Sequence, residues 1–362
     1  MNMKCFLIDI LAHCSNIRIS LFTFALLFLL PITLQEARAQ TDSLYMDLDE
    51  TVLVGKKHTS SIQSVDGGAL SVRLDQIQTL PKILGNTDPL SFARMLPGVQ
   101  TGAEYDCGIH IQGCDNAHND FTIAGVPVFG VTHLFGLFSV YNPSHYKSMT
   151  FRQSSLSCAG ANRLGGVLRM ELPDTVAGKI KGDVSVGVMS SQGTISAKVG
   201  QKSFLHVSVR QSYLDLLYRR WLMMDDNQIS YSFGDYNLTW YIAPTPDDKV
   251  WVDVYAGNDK ASMGANDYNV GISARWGNLI GALHWEHKGK NVFLDQSLFV
   301  SGYGTSIALA QSPMSMRVPS EIGSAGYKAK VDWKEFSFGA DIIGYMAKPQ
   351  APQHEGLYGE SS

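Results

Sequence analysis

Between residues 179 and 345 one pattern recurs so persistently that few architectures can hold it: alternating segments, each about 10 residues long, separated by turn formers. KIKGDVSVGVM, GTISAKVG, SFLHVSVRQSY, QISYSFGDYNLTWYIA, KVWVDVYAG, YNVGISARW with LIGALHWEH, NVFLDQSLFVSGY, AGYKAKVDW and FSFGADIIGY follow one another. In KVWVDVYAG, Val250, Val252, Val254 and Ala256 share one face, and Trp251, Asp253 and Tyr255 share the other. Successive strand side chains point to opposite faces, so each segment has one apolar face and one mixed polar face. Two environments fit: a soluble sheet with one wet face, or a membrane barrel with lipid outside and a polar lumen.

The connections favour the barrel. Tight turns (residues 244–248, 287–290 and 334–335) alternate with stretches expected to be longer polar loops (213–228, 257–267 and 304–322). Short turns at one rim and long loops at the other are the pattern of outer-membrane barrels. Trp240, Tyr241, Trp276, Trp285, Tyr303, Trp333 and Tyr345 lie near segment ends, where aromatic girdles form. A soluble sandwich or adhesin remains the other reading of the same periodicity.

Residues 62–175 have a different texture, that of a compact mixed α/β domain. Thr87-Asp88-Pro89 supplies an N-cap and a proline at the first helical position, and Pro97-Gly98 stops the helix. Asn142-Pro143-Ser144 predicts a second helix start. Between them, IHIQGCDNAHNDFTIAGVPVF (109–129) predicts a hairpin, with Ile109, Ile111, Phe121 and Ile123 on its apolar face.

At the N-terminus, the apolar run 21–34 follows Lys4 and Arg18 and precedes Ala37-Arg38-Ala39, as in a secretory signal covering residues 1–39. The run is short against the roughly 20 residues of a spanning helix. Residues 40–61 are polar except for Glu50-Thr51-Val52-Leu53-Val54, a β-forming strip behind Asp47 and Asp49. Such a strip either packs on the next domain or adds to a partner's sheet edge. Of five cysteines, Cys5 and Cys14 leave with the signal. Cys107 and Cys114, on one extended strand, stand about 20 Å apart and cannot bond, whereas Cys114 to Cys158 is a feasible but inessential bridge. Net charge is −4 and only 17% of residues are charged, which gives no footprint for nucleic acid.

Taken in order, these segments resemble a TonB-dependent outer-membrane receptor of the Bacteroidetes type. The plug pattern of that family is matched by Leu96-Pro97-Gly98-Val99, Ile109-His110-Ile111-Gln112-Gly113 and Gly125-Val126-Pro127-Val128. His133-Leu134-Phe135-Gly136, Phe138 to Asn142-Pro143, and Asn162-Arg163-Leu164-Gly165-Gly166-Val167-Leu168 continue it. The resemblance implies an α+β plug domain (62–175) followed by antiparallel transmembrane β-barrel strands (176–362). It also implies that Glu50–Val54 is the TonB box, pulled by TonB of the TonB-ExbB-ExbD complex when ligand binds outside. Gly125, Pro127, His133, Asn142, Pro143, Arg163, Gly165 and Gly166 become structural plug residues. The turn Gln112, Gly113, Cys114, Asp115, Asn116, His118, Asn119 becomes the possible ligand-side surface. Gln112, Cys114 and Ala124 stand where the family usually has Arg, Gly and Asp, which predicts weakened anchoring of plug to wall.

At roughly 20 residues per strand and connection, the part after the plug supplies about nine strands, against roughly 22 in a family barrel. An incomplete barrel is therefore expected, the N-terminal portion of a receptor from a truncated gene or incomplete sequence. The function implied is ligand-gated import of a scarce nutrient across the outer membrane. Outer-membrane lipid, a small-molecule, chelate, glycan or peptide ligand and a surface lipoprotein are the implied partners. The alternative is a secreted or surface β-rich binding protein, adhesin- or lectin-like.

No enzyme motif is present: no G-x-S-x-G elbow, H-E-x-x-H, C-x-x-C or phosphate loop. His110, His118, His133 and His145 lie close in sequence but read as structural, and 115–120 reads as a solvated turn, because Ala117 and Phe121 break a Ca²⁺-loop pattern. No cofactor and no metal are expected.

Overall fold

Two-residue periodicity is realised as strand through most of the chain. The computed structural model describes residues 62–65, 68–77, 87–101, 108–154, 163–173, 179–218, 220–221, 223–224, 227–265, 270–311 and 314–355. The expected signal (1–39), the TonB-box strip Glu50–Val54, Cys107, Cys158 and Asn162 lie outside them. The described residues fall in one compact unit spanning 59–362.

The first part contributes the short strands β1 (Ile62–Val65), β2 (Ala69–Arg73), β3 (Val99–Thr101), β4 (Ile109–Ile111), β5 (Asp120–Ile123), β6 (Val126–Pro127), β7 (Thr132–His133), β8 (Phe138–Ser139), β9 (Ser148–Arg152) and β10 (Val167–Glu171). Helices α1 (Leu74–Ile77) and α2 (Pro89–Ala93) accompany them. Asp88 caps α2: its Oδ2 accepts the Ser91 N–H at 2.7 Å, and Pro89 opens the helix. Six strands form a mixed sheet in the order β1-β2-β9-β10-β5-β6, with β10 parallel to β5. Leu90, Ile109, Ile111, Phe121, Ile123, Met149, Phe151 and Leu168 fill its core.

Two local expectations are corrected here. The stretch 109–129 is not one hairpin: β4 pairs with β3, while β5 pairs with β10 and turns back onto β6. The predicted apolar face is nonetheless buried, since Ile109, Ile111, Phe121 and Ile123 all enter the core. Asn142-Pro143-Ser144 starts no helix; it is a turn in which Asn142 Oδ1 accepts the Ser144 N–H at 3.0 Å and the Asn142 carbonyl accepts the His145 N–H at 3.0 Å. An Asx turn satisfies the same amide groups a cap would, without a following helical turn.

The second part is a meander: β11 (Ile180–Val186), β12 (Ser190–Lys198), β13 (Ser203–Ser212), α3 (Leu214–Leu217), β14 (Met223–Met224), β15 (Asn227–Ile242), β16 (Asp248–Ala265), β17 (Val270–Lys288), β18 (Val292–Gln311), β19 (Met314–Trp333), β20 (Phe336–Lys348) and β21 (Gln353–Glu355). Nine strands, β11 to β13 and β15 to β20, pair antiparallel in chain order, with β14 on β15 and β21 on β19. The sheet is unclosed, β11 and β20 forming its two ends among the described residues.

Tight turns at 244–247, 289–291 and 334–335 match expectation, but 257–265 and most of 304–322 are strand, not loop. β17, β18 and β19 are 19, 20 and 20 residues long. A lipid core needs only about 9 to 11 residues of tilted strand. The ladder therefore continues into water, where its side chains turn polar.

Burial distinguishes the two sequence readings. Along β13 the buried side is Phe204, His206, Ser208, Arg210 and Ser212, while Leu205, Val207 and Val209 face away. Arg210 is 1% exposed and its neighbour Val209 42%; on β15, Asp235 is 0% exposed and Trp240 44%. A soluble sandwich buries its apolar face. Here the apolar face is outside and the polar face is covered by the first domain, which is the polarity of a membrane barrel around a plug. Among the described residues no helix is long and apolar enough to cross a membrane.

Candidate functional site

The covered polar face of β12 to β19 meets the plug along a continuous seam. His133 lies at its centre. Its Nδ1–H donates to Asp259 Oδ2 at 2.7 Å and its Nε2–H to Asp235 Oδ1 at 2.9 Å. Asp235 also accepts from Arg210, whose Nε lies 2.7 Å and Nη2 2.6 Å from Oδ2, and from the Tyr255 hydroxyl at 2.8 Å. Arg210 reaches on to the Ser139 carbonyl, and Tyr231 donates to Asp259 while accepting the Leu134 N–H. Phe233 stacks on His133 with ring centroids 4.6 Å apart. Burial alone pulls His133 towards neutrality, but the two carboxylates outweigh it and raise its pKa to about 9. The cluster thus holds two cations and two anions.

A second contact involves His145. Thr239 donates its hydroxyl proton to Asp253 Oδ1 at 2.8 Å, so its oxygen accepts from His145 Nε2–H at 3.1 Å. His145 Nδ1 then accepts from Ser208 Oγ at 2.8 Å. His206 donates to the His145 carbonyl at 3.0 Å, and its ring lies 4.5 Å from that of His145. Burial, with His206 beside it, holds His145 well below the usual imidazole range.

Further along, Asn278 brackets Gly130, donating to its carbonyl at 2.6 Å and accepting its N–H at 3.2 Å. A Cβ on Gly130 would lie 2.3 Å from the Tyr303 ring, so a larger residue there would have to displace that ring. Ser301 donates to the Pro127 carbonyl at 2.6 Å and Lys328 to the Gly125 carbonyl at 2.8 Å.

The expected weak anchoring is therefore corrected. The positions lacking the family's Arg and Asp, Gln112 and Ala124, are turn corners with φ of 54° and 49°, and the plug is fixed instead through His133, His145, Gly125, Pro127 and Gly130. Asp235, Asp259, Arg210 and Asn278 went unnoticed in sequence, although their place on the polar phase of their strands was visible there.

The remaining plug residues gather around the other turn. Asn119, buried, donates to the Ile109 carbonyl at 2.6 Å and accepts the Gly166 N–H at 3.0 Å. Gly165 N–H donates to the His118 carbonyl at 2.8 Å and Arg163 Nη1 to the Ala117 carbonyl at 3.1 Å. Asn116 Oδ1 accepts the Ile109 N–H at 3.1 Å. Gln112, Gly113, Asp115 and His118 stay exposed, while Cys114 is a half-buried free thiol. Asn142 and Pro143 are buried in the turn that presents His145. His110, His133 and His145 have separate partners. Among the described residues no group of three or more metal-ligating side chains forms.

No protein-family model and no curated protein matches the sequence. Solved structures do. The chain is similar to the ferric yersiniabactin uptake receptor FyuA from Yersinia pestis at 12% identity and TM-score 0.50, over 79% of this chain and 59% of that one. It is similar to the siderophore receptor PiuA from Acinetobacter baumannii at 12% identity and TM-score 0.50, over 74% of this chain and 46% of that one. The fold is that of a TonB-dependent outer-membrane receptor. This chain spans about half the length of these two receptors. The outward apolar face and the inner polar seam described above are the features expected of a barrel wall and plug in that fold.

Proposed function

We propose that the chain is the plug-bearing portion of a ligand-gated importer. The observation that supports it is the seam: the plug is held to a lipid-facing wall by hydrogen bonds and ion pairs, contacts that water can replace when the plug is drawn aside. Ligand engages the plug's outward surface, for which the exposed, Asn119-braced turn 112–119 is the candidate. TonB then engages the strip Glu50–Val54 by strand addition. Energy from the inner-membrane complex moves the plug, and no bond is made or broken. The cargo is a scarce small molecule, chelate, glycan or peptide, with a surface lipoprotein as a possible accessory; one scaffold serves many cargoes.

Two measurements test this. The chain should sediment with outer membranes and migrate heat-modifiably on a gel; recovery as a freely soluble periplasmic protein would sink the reading. Replacing Val52→Pro removes a ladder donor and should abolish capture by the periplasmic domain of TonB, whereas undiminished capture would refute the TonB-box assignment.

A further inference from the structure

Two plug histidines grip the same wall in opposite protonation states. Both ring nitrogens of His133 donate to carboxylates, which only the imidazolium can do. His145, buried with only the Ser208 and Thr239 hydroxyls on its nitrogens and the His206 ring 4.5 Å away, has no carboxylate to hold a proton against and sits as the neutral ring. We propose that the plug seat is a two-sided pH gate, firmest near neutrality, loosened by acid through His145 and by alkali through His133.

The surroundings of each ring sustain the assignment. His133 is faced by Asp235 and Tyr231 from β15 and by Asp259 and Tyr255 from β16, with Arg210 of β13 behind Asp235. Beyond Arg210 lies Asp88. His145 is faced by His206 and Ser208 from β13, Thr194 from β12, Thr239 from β15 and, through Thr239, Asp253 from β16. Tyr146 flanks it on its own segment with Tyr141 beside that ring, and Lys181 of β11 acts on His206. A proton added to His145 meets the His206 ring and displaces the Ser208 hydroxyl. A proton lost from His133 leaves two carboxylates opposite one guanidinium.

The signs follow from linkage. In a withdrawn, hydrated plug each imidazole titrates near about 6.5. His133 is raised to about 9 in the seat, so its contribution is full below about 6.5 and is lost as pH climbs towards 9. His145 is held well below the ordinary value, so its contribution is full above about 6.5 and is lost as pH falls. Each flank changes the seating constant by up to about tenfold per pH unit, and the alkaline flank by on the order of 100-fold between pH 6.5 and 9.

The test uses the full chain in outer-membrane vesicles and the urea midpoint of plug release from pH 5 to 9, read by tryptophan fluorescence, Trp276 packing against the cluster that Phe138 of the plug shares with Tyr231 and Phe233 of the wall. Heat-modifiable migration reports separately that the wall is assembled. Wild type should give a bell with its maximum near neutrality. His145→Gln, which keeps a donor and an acceptor but cannot take a proton, should shrink the acid flank and leave the alkaline one in place, the remainder belonging to His206, which donates to the His145 carbonyl. Asp259→Asn should move the alkaline flank to lower pH. Should His145→Gln fail to assemble, Ser208→Ala, which frees Nδ1 to protonate, should move the acid flank to higher pH. A flat wild-type profile, an acid flank undiminished in His145→Gln, or flanks unmoved in Asp259→Asn and Ser208→Ala would overturn the proposal.

Discussion

Replacing Arg210→Met probes the seam where its electrostatics are most exacting. The wild-type cluster balances His133 and Arg210 against Asp235 and Asp259. Methionine keeps most of the side-chain volume but removes the guanidinium contacts to Asp235 at 2.6 and 2.7 Å and the bond to the Ser139 carbonyl. Asp235, fully buried, is left sharing one imidazolium with Asp259, and the pocket carries a net negative charge. Breaking a buried pair by removing one partner costs about 3–5 kcal/mol, most of it the uncompensated charge. With a urea slope of about 1.5 kcal/mol/M for a domain of this size, the release midpoint falls by roughly 2–3 M. Asp235→Asn alone leaves the opposite imbalance and should cost a similar amount. The double variant restores neutrality, with His133 facing Asp259, so it should be no less stable than Arg210→Met alone, a coupling of at least about 2 kcal/mol. Additive costs, or single variants that each lose under about 1 kcal/mol, would refute the charge-balance account.

Other positions give simpler expectations. Ala124 and Gly125 form the β5–β6 corner with φ of 49° and 82°, and a left-handed non-glycine residue costs about 1–2 kcal/mol; Ala124→Asn should therefore raise plug stability by about 0.5–1 kcal/mol, read as an upward urea midpoint. Gly166→Ala would place a methyl 2.6 Å from Ile111 and 2.8 Å from the Arg152 carbonyl, so a loss of about 1–3 kcal/mol is expected from overpacking. Asn119→Ala strips bonds from the Ile109 carbonyl and the Gly166 N–H, and about 2–3 kcal/mol should be lost, with Cys114 becoming faster to alkylate as its turn loosens.

The periodicity of residues 179–345 carried the barrel wall, its tight turns and its number of strands, because a two-residue alternation is a local property of the chain. Thr87-Asp88-Pro89 was equally legible, since a cap and its proline act within one turn. Pairing over distance was not. His133 meets partners 102 and 126 residues away, and nothing in its own segment names them. The stretch 109–129 misled for the same reason: adjacency suggested that β4 and β5 pair, but Asn119 and the Gly165-Gly166 corner separate them, and β10 takes the edge of β5. Residues 257–265 and 304–322 read as loops because polarity was taken as a sign of irregular backbone. In a wall that outgrows its bilayer, polarity marks where lipid ends and the ladder does not.

The polarity of the wall also bears on the proposed function, in which the plug leaves its seat. Had the strands met the plug through an apolar face, each 100 Å² of contact would hold it by about 2.5 kcal/mol that water could not replace. A hydrogen bond across the seam contributes only about 1 kcal/mol net, because both groups find water when they part. Bonds such as Asn278 to Gly130 and Ser301 to Pro127 therefore fix register without gluing the domains together. Apolar wall residues do touch the plug core at Tyr255, Ile280, Ala282 and Phe299, so some adhesion remains. The ion cluster at His133 differs from both, since it is costly to leave half-made and cheap to leave whole. Withdrawing His133 from between Asp235 and Asp259 becomes tolerable only as water enters to hydrate all three, so in the proposed import cycle wetting of the seam, rather than rupture of any one bond, is the step that a pulling force would have to drive.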